Sequence, residues 1–97
     1  MQINLTGHHV EVTPPLREYA VKKFERIVRH LDKIISINVV FEKQKVNQVA
    51  KATISAPGAQ FYADEHSEDM YAAIDGLVDK LDKQVKQHKE RQSSHKG

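Results

Sequence analysis

The chain has 97 residues, 39% hydrophobic and 29% charged, with a net charge of +2 at neutral pH, enough for one domain that buries roughly 60–70% of its unfolded surface. It has no cysteine, so it holds neither a disulfide framework nor a thiolate metal site, which suits a reducing cytosol. No apolar run approaches the roughly 18 residues of a membrane span, and the start MQINLTGHH lacks the basic head and apolar middle of a signal peptide, so a soluble cytoplasmic protein is expected.

Gln2 to Thr6 alternates Ile3 and Leu5 with polar neighbours, the period of a half-buried strand, and Gly7-His8-His9 reads as a turn. Thr13-Pro14-Pro15 is a helix-entry signal, because threonine caps and proline suits the first helical position. The residue before a proline avoids the α region, which places the helix start at Pro15. Leu16, Tyr19, Ala20, Phe24, Ile27, Val28 and Leu31 mark its buried face to about His30 or Leu31. Ile35 to Lys43 then alternates strictly, with Ile35, Ile37, Val39 and Phe41 on one face. Val49 to Ala56 sets Ala50, Ala52, Ile54 and Ala56 on one side. Pro57-Gly58 is a tight-turn pair, since proline presets the first central position and glycine accepts a positive φ at the second. A returning strand is expected from Gln60 to about Glu65.

The last third reads as one amphipathic helix from Ser67 to Arg91, with Ser67 as cap and Glu68 and Asp69 complementing the dipole of the first turn. Met70, Ile74, Leu77, Val78, Leu81 and Val85 define its buried stripe, and nothing apolar follows Val85. Its charge changes sign along its length. Asp64 to Asp79 holds six acidic residues and no basic one, whereas Lys80, Lys83, Lys86, Lys89, Arg91 and Lys96 follow against only Asp82 and Glu90. Such a helix runs roughly 37 Å, longer than a small sheet needs for cover. Its last turns carry a basic surface and no core, an arrangement that points to a polyanionic partner.

The order β-α-β-β-β-α, with one apolar sheet face and two amphipathic helices, implies an α+β two-layer sandwich. A four-stranded sheet carries both helices on one face and leaves the opposite face largely polar. Residues 1–91 form the domain and 92–97 a disordered tail. Lys22, Arg26, Arg29 and Lys33 are spaced 4, 3 and 4 apart and point away from the apolar face of the first helix. Lys80, Lys83 and Lys86 do the same on the second. If the helices pack side by side, these residues form one cationic platform able to neutralise phosphates. The bland alternative is two solvated faces laced by pairs such as Asp79–Lys83 and Asp82–Lys86, each adding a few tenths of a kcal/mol.

Asp69-Met70-Tyr71-Ala72-Ala73-Ile74-Asp75-Gly76-Leu77-Val78-Asp79-Lys80-Leu81 closely resembles the signature of the bacterial ribosome hibernation promoting factors. Ile3-Asn4-Leu5-Thr6-Gly7, Val10-Glu11-Val12-Thr13 and Leu16-Arg17-Glu18-Tyr19 resemble the same family. Pro14-Pro15 departs from the residues usual at that helix start, and the length resembles the family's short form. The resemblance implies a fold similar to double-stranded RNA-binding domains and binding to 16S ribosomal RNA in the messenger and tRNA channel of the small ribosomal subunit. It also implies that the protein, with ribosome modulation factor as partner, promotes pairing of idle ribosomes in stationary phase. The RNA-contacting residues it implies are Lys22, Lys23, Arg26, Arg29 and Lys33 on the first helix and Lys80, Lys83, Lys86, Lys89 and Arg91 on the second. The free protein is expected to be a monomer without cofactor.

Other signals are weaker. His8, His9, His30, His66, His88 and His95 are scattered without the spacing of a metal site, so no metal is expected, although His88 lies in the basic helix end, where a proton adds charge beside phosphate. Asp64, Glu65, Glu68 and Asp69 form a solvated acidic cluster rather than opposed carboxylates in a cleft, so no enzyme is expected. Asp75 and Asp79 are candidates for orienting the platform by repulsion. Tyr71, beside the core stripe, reads as packing with its hydroxyl at the rim, the alternative being a contact to a nucleotide. No pair of exposed aromatics marks the polar sheet face, so recognition is expected to rest on backbone and shape. Two other functions compete: silencing of single ribosomes without pairing, and a protein-interaction module whose long helix docks an acidic partner.

Overall fold

The computed structural model describes residues 3–31 and 33–94. Its elements are β1 (Ile3–His8), α1 (Pro14–Val28), β2 (Ser36–Gln44), β3 (Asn47–Ala56), β4 (Ala59–Ser67) and α2 (Met70–Ser94). The sheet order is β1-β2-β3-β4, with β1 parallel to β2 and the other pairs antiparallel. The expected α+β sandwich is the fold.

The inner face is laid out in rows by the register. Ile3, Ile37, Ile54 and Phe61 form one row, and Leu5, Val39, Ala52 and Ala63 the next. In the third row Phe41 and Ala50 are followed by Glu65. Alanines occupy both β3 and β4 in the second row and β3 in the third, where Glu65 stands on β4. α2 therefore approaches β3 and β4 closely, and Gly76 continues that approach. A methyl group at Gly76 would run into the side chain of Glu65. Leu16, Ala20, Phe24 and Ile27 of α1 join Met70, Ala73, Ile74, Leu77, Val78, Leu81 and Val85 of α2 in one buried cluster above the sheet. The apolar stripe of α2 ends at Val85, as expected. The outer face is polar, carrying the Asn4–Asn38 amide pair at 3.0 Å and the Lys51–Glu42 ion pair at 3.0 Å, with buried Val49 as an exception.

Several element ends differ from the expected ones. β1 continues to His8, because Gly7 and His8 keep pairing with Phe41 and Glu42; the turn falls at His9, whose φ is 60°. α1 starts at Pro14, since Thr13 is the extended cap and its Oγ1 accepts the Leu16 N–H at 3.3 Å. It ends at Val28 because the next amides tighten, His30 N–H donating to Ile27 O and Leu31 N–H to Val28 O. β2 starts after Ile35, whose side chain stays 63% exposed at the strand end instead of joining the core. β3 and β4 each run further, to a two-residue turn at Lys45-Val46 and to Ser67, because their ladders do. Gly58, at φ 75°, completes the Pro57-Gly58 turn where a side chain would be strained.

The start of α2 is a correction. Ser67 is still in the sheet opposite Gln48, and Asp69 is the cap. Its Oδ1 accepts the Tyr71 N–H at 3.2 Å and its carbonyl the Ala73 N–H at 3.0 Å, while Ser67 Oγ accepts the Asp69 N–H. Glu68 and Asp69 thus precede the helix rather than filling its first turn. At the other end the helix reaches Ser94, since Gln92, Ser93 and Ser94 include no helix breaker; the rest of the expected tail, 95–97 with Lys96, lies outside the described residues.

Candidate nucleic-acid interface

The two helices lie side by side with complementary rows of charge between them. From α1 come Tyr19, Lys23 and Arg26, with His30 just beyond; from α2 come Asp75, Asp79, Asp82 and Lys86. Lys23 Nζ is 3.3 Å from Asp75 Oδ1, which also accepts the Tyr19 hydroxyl at 2.7 Å. Arg26 reaches Asp79 at 2.6 Å through Nη2 and Asp82 at 3.6 Å through Nε. His30 Nδ1 and Lys86 Nζ complete the set on Asp82 at 2.9 and 3.2 Å. An ionised carboxylate only accepts, so Nδ1 of His30 carries the proton. Asp75 and Asp79 therefore bind α1. The Asp82–Lys86 pair forms as expected, but Asp79 takes Arg26 across the groove.

Asp82 is 5% exposed. Burial alone would push its carboxyl up, but the hydrogen bonds from His30 and Lys86 and the charges of Lys86 and Arg26 outweigh that and hold it below the usual carboxylate range. The hydrogen bond to Asp75 raises Tyr19 and likewise Lys23, keeping the phenol protonated and the amine charged. The hydrogen bond to Asp79 holds Arg26 further into its charged form. A carboxyl with a depressed folded pKa adds stability above its unfolded value, and that stability is lost as pH falls through the folded one. Asp82→Asn is expected to cost about 1–3 kcal/mol at neutral pH, the scale of a lost hydrogen bond to a charged group. The difference from wild type is expected to shrink below about pH 4, where unfolded aspartate takes up its proton. Urea midpoints at pH 7 and pH 3 measure it; a gap independent of pH would refute the ionised, paired state of Asp82.

This geometry divides the ten candidate cations. Lys23, Arg26 and Lys86 belong to the groove. Lys80 turns to the sheet edge, donating to Asp64 O at 2.8 Å and pairing with Glu65 at 3.3 Å. Beside it Gln84 Nε2 donates to Tyr62 O at 2.7 Å. Together they cover carbonyls along the β4 edge, which would otherwise be open to strand pairing. So Lys80, Lys83 and Lys86 do not share one outward face: Lys80 leans to β4, Lys86 to α1, and exposed Lys83 lies between. Arg29 caps the end of α1, and Lys33 lies beyond the helix, in the α1–β2 connection.

Among the described residues Lys22, Arg29, Lys33, Lys83 and Lys89 are exposed and enter no ion pair. Lys33 and Lys89 come together with His30 and His88 around one cleft beside Pro57, joining two cations that lie 56 positions apart in sequence. His88 is fixed there edge-on to Phe61, with centroids 5.5 Å apart. Arg91 is exposed and lines the neighbouring groove along the β4 start. Glu18 and Glu25 are exposed on α1, so the cationic surface is mixed rather than uniform. The acid row was the feature missed in sequence. Its signal was there: Asp75, Asp79, Asp82 and Lys86 repeat at 4, 3 and 4, matching the 4, 3 and 4 of Tyr19, Lys23, Arg26 and His30.

Among the described residues no helix is long and apolar enough to cross a membrane. Residues 3–93 match the family described as sigma 54 modulation protein / S30EA ribosomal protein. The chain is 50% identical over 94 residues to a ribosome hibernation promoting factor of Pseudomonas putida, covering 97% of this chain and 92% of that one. It is similar to the structure of a ribosomal subunit interface protein from Coxiella burnetii, with TM-score 0.86 and 36% identity over 93% of this chain and 99% of that one. The N-terminal domain of Thermus thermophilus Protein Y gives TM-score 0.85 and 35% identity over 91% and 99% of the two chains. These are names of ribosome-associated factors, not of enzymes.

Proposed function

The chain belongs to the sigma 54 modulation protein / S30EA ribosomal protein family, that of the ribosome hibernation promoting factors, and on that premise we propose that it binds the ribosome and holds it idle. Its target is the small subunit, where the helix layer lies on 16S ribosomal RNA in the messenger and tRNA channel and blocks translation. With ribosome modulation factor on the same particle, it promotes pairing of idle ribosomes. The chain acts as a single RNA-binding domain in the cytoplasm.

One observation carries the reading at the level of residues. Lys22, Arg29, Lys33, Lys83 and Lys89 are exposed without an ion pair among the described residues. Cations already matched by carboxylates have little to gain from phosphate; unmatched ones release counterions on binding and add affinity without base readout. The groove ion pairs serve this surface by fixing the two helices side by side. Lys23, Arg26, Lys80 and Lys86 accordingly position the interface more than they bind, and the five unmatched cations bear on the phosphates.

Sedimentation of purified ribosomes with the protein, with and without ribosome modulation factor, tests this. Cosedimentation with the small subunit and a shift to ribosome dimers is the expected result. Binding without dimers in the presence of the second factor would replace pairing by silencing of single ribosomes. Capture that survives RNase digestion of the target would favour the protein-docking alternative. Absence of cosedimentation would refute the reading.

A further inference from the structure

We propose that Tyr71 and Tyr19 form a stacking site for an unpaired nucleobase at the entrance of the helix layer, an inference that rests on the RNA-binding reading above. The two residues are 52 positions apart in sequence and meet only in the fold, one from each helix. Their rings pack edge to face, with centroids 5.0 Å apart and planes at 79°.

Tyr19 is locked in place. Its hydroxyl donates to Asp75 at 2.7 Å, and the Lys23 ammonium sits 5.4 Å from its ring centre. Tyr71 leans on that fixed ring but remains 37% exposed, one of few large apolar side chains left at the surface. It lines an open groove with Pro15, Tyr19 and Val21, and the same groove takes in Arg17 and Lys22 together with the carboxylate of Glu18, so that cations outnumber acids there by two to one. A rigid aromatic body, an apolar floor and two cations at the rim match what a single-stranded nucleotide presents: a flat base and a phosphate. Stacking on such a ring is tolerant of sequence and adds to the electrostatic attraction of the backbone. A neutral apolar ligand would have no use for the cations.

The site also explains why a helix exposes a tyrosine there. Packing alone is served by the part of the ring that touches Tyr19. The groove it lines takes in Lys22, one of the five candidate contact cations without an ion pair, so the groove continues the candidate interface rather than standing apart from it.

The test is binding of a fluorescently labelled oligoadenylate and of an abasic strand of equal length, read by anisotropy at low salt. Wild-type protein is expected to bind the base-bearing strand more tightly. Tyr71→Ala is expected to weaken that binding by roughly 5- to 150-fold, the scale of one lost stacked base, while leaving the abasic strand unaffected. Tyr71→Phe keeps the ring and should retain the wild-type preference; melting curves of both variants verify folding. Equal loss on both strands, no loss on either, or no detectable binding of either strand overturns the stacking site. Ribosome cosedimentation of the same proteins separates the two claims: if ribosomes bind but Tyr71→Ala discriminates nothing, the stacking site alone fails, whereas absent cosedimentation removes the reading beneath it.

Discussion

Raising the salt from about 50 to 200 mM is expected to weaken ribosome binding by roughly 100- to 500-fold. The magnitude follows from counterion release, about 0.7–0.9 in the salt slope for each phosphate neutralised, applied to Lys22, Arg29, Lys33, Lys83 and Lys89. Among the described residues these are the five of the ten candidate cations that are exposed, enter no ion pair and lie outside the Arg91 groove. The variants sharpen the point. Lys83→Gln combined with Lys89→Gln is expected to reduce the slope by about 1.4–1.8, with folding stability changed by no more than about 0.5 kcal/mol per site, as for exposed positions. Lys80→Gln is expected to leave the slope nearly unchanged, because that ammonium is already held by Glu65 and Asp64 O. Filter binding of ribosomes across a salt series reads both. A slope equally sensitive to Lys80 and to Lys83 would refute the division between matched and unmatched cations.

Phe24→Ala is expected to cost about 3–5 kcal/mol of folding stability, and Leu81→Ala about 2–5 kcal/mol. Both side chains are fully buried in the same cluster, one from each helix. Small domains have only about 5–15 kcal/mol of net stability, so Phe24→Ala removes a large share of it. The site has little means of collapse, because the rows beneath it are held by sheet register, Ile37 against Ile54 and Val39 against Ala52. Urea denaturation measures the loss as a lower midpoint with an unchanged slope. A midpoint near that of wild type would mean that these faces are not the buried ones. The two experiments are complementary, since the first changes binding without stability and the second changes stability from positions that touch no ligand.

Much of this molecule is legible in its sequence alone. The order β-α-β-β-β-α, the apolar faces of both helices and the end of the α2 stripe at Val85 follow from periodicity, because hydrophobic burial acts on every third or fourth residue of a helix and every second of a strand. The Pro57-Gly58 turn follows from local chemistry, since φ preferences belong to single residues. Element ends are less legible, and for one reason. Whether Gly7, His8 and Ser67 continue a strand depends on partners at Phe41, Glu42 and Gln48, which lie across the sheet and not beside them in sequence.

The charged residues divide along the same line. That Lys22, Arg29 and Lys83 are exposed can be read from each helix alone. That Arg26 is matched by Asp79 and Asp82, Lys23 by Asp75 and Lys80 by Glu65 cannot. A helical wheel shows which way a side chain points but not what lies opposite it. The sequence determined the fold, the two amphipathic helices and the excess of cations on them. Only the tertiary structure decided the matching of Lys23 and Arg26 and the meeting of Tyr19 with Tyr71, which came with the packing register of two helices more than fifty residues apart. The matching of Lys80 came likewise with the packing of α2 on the β4 edge.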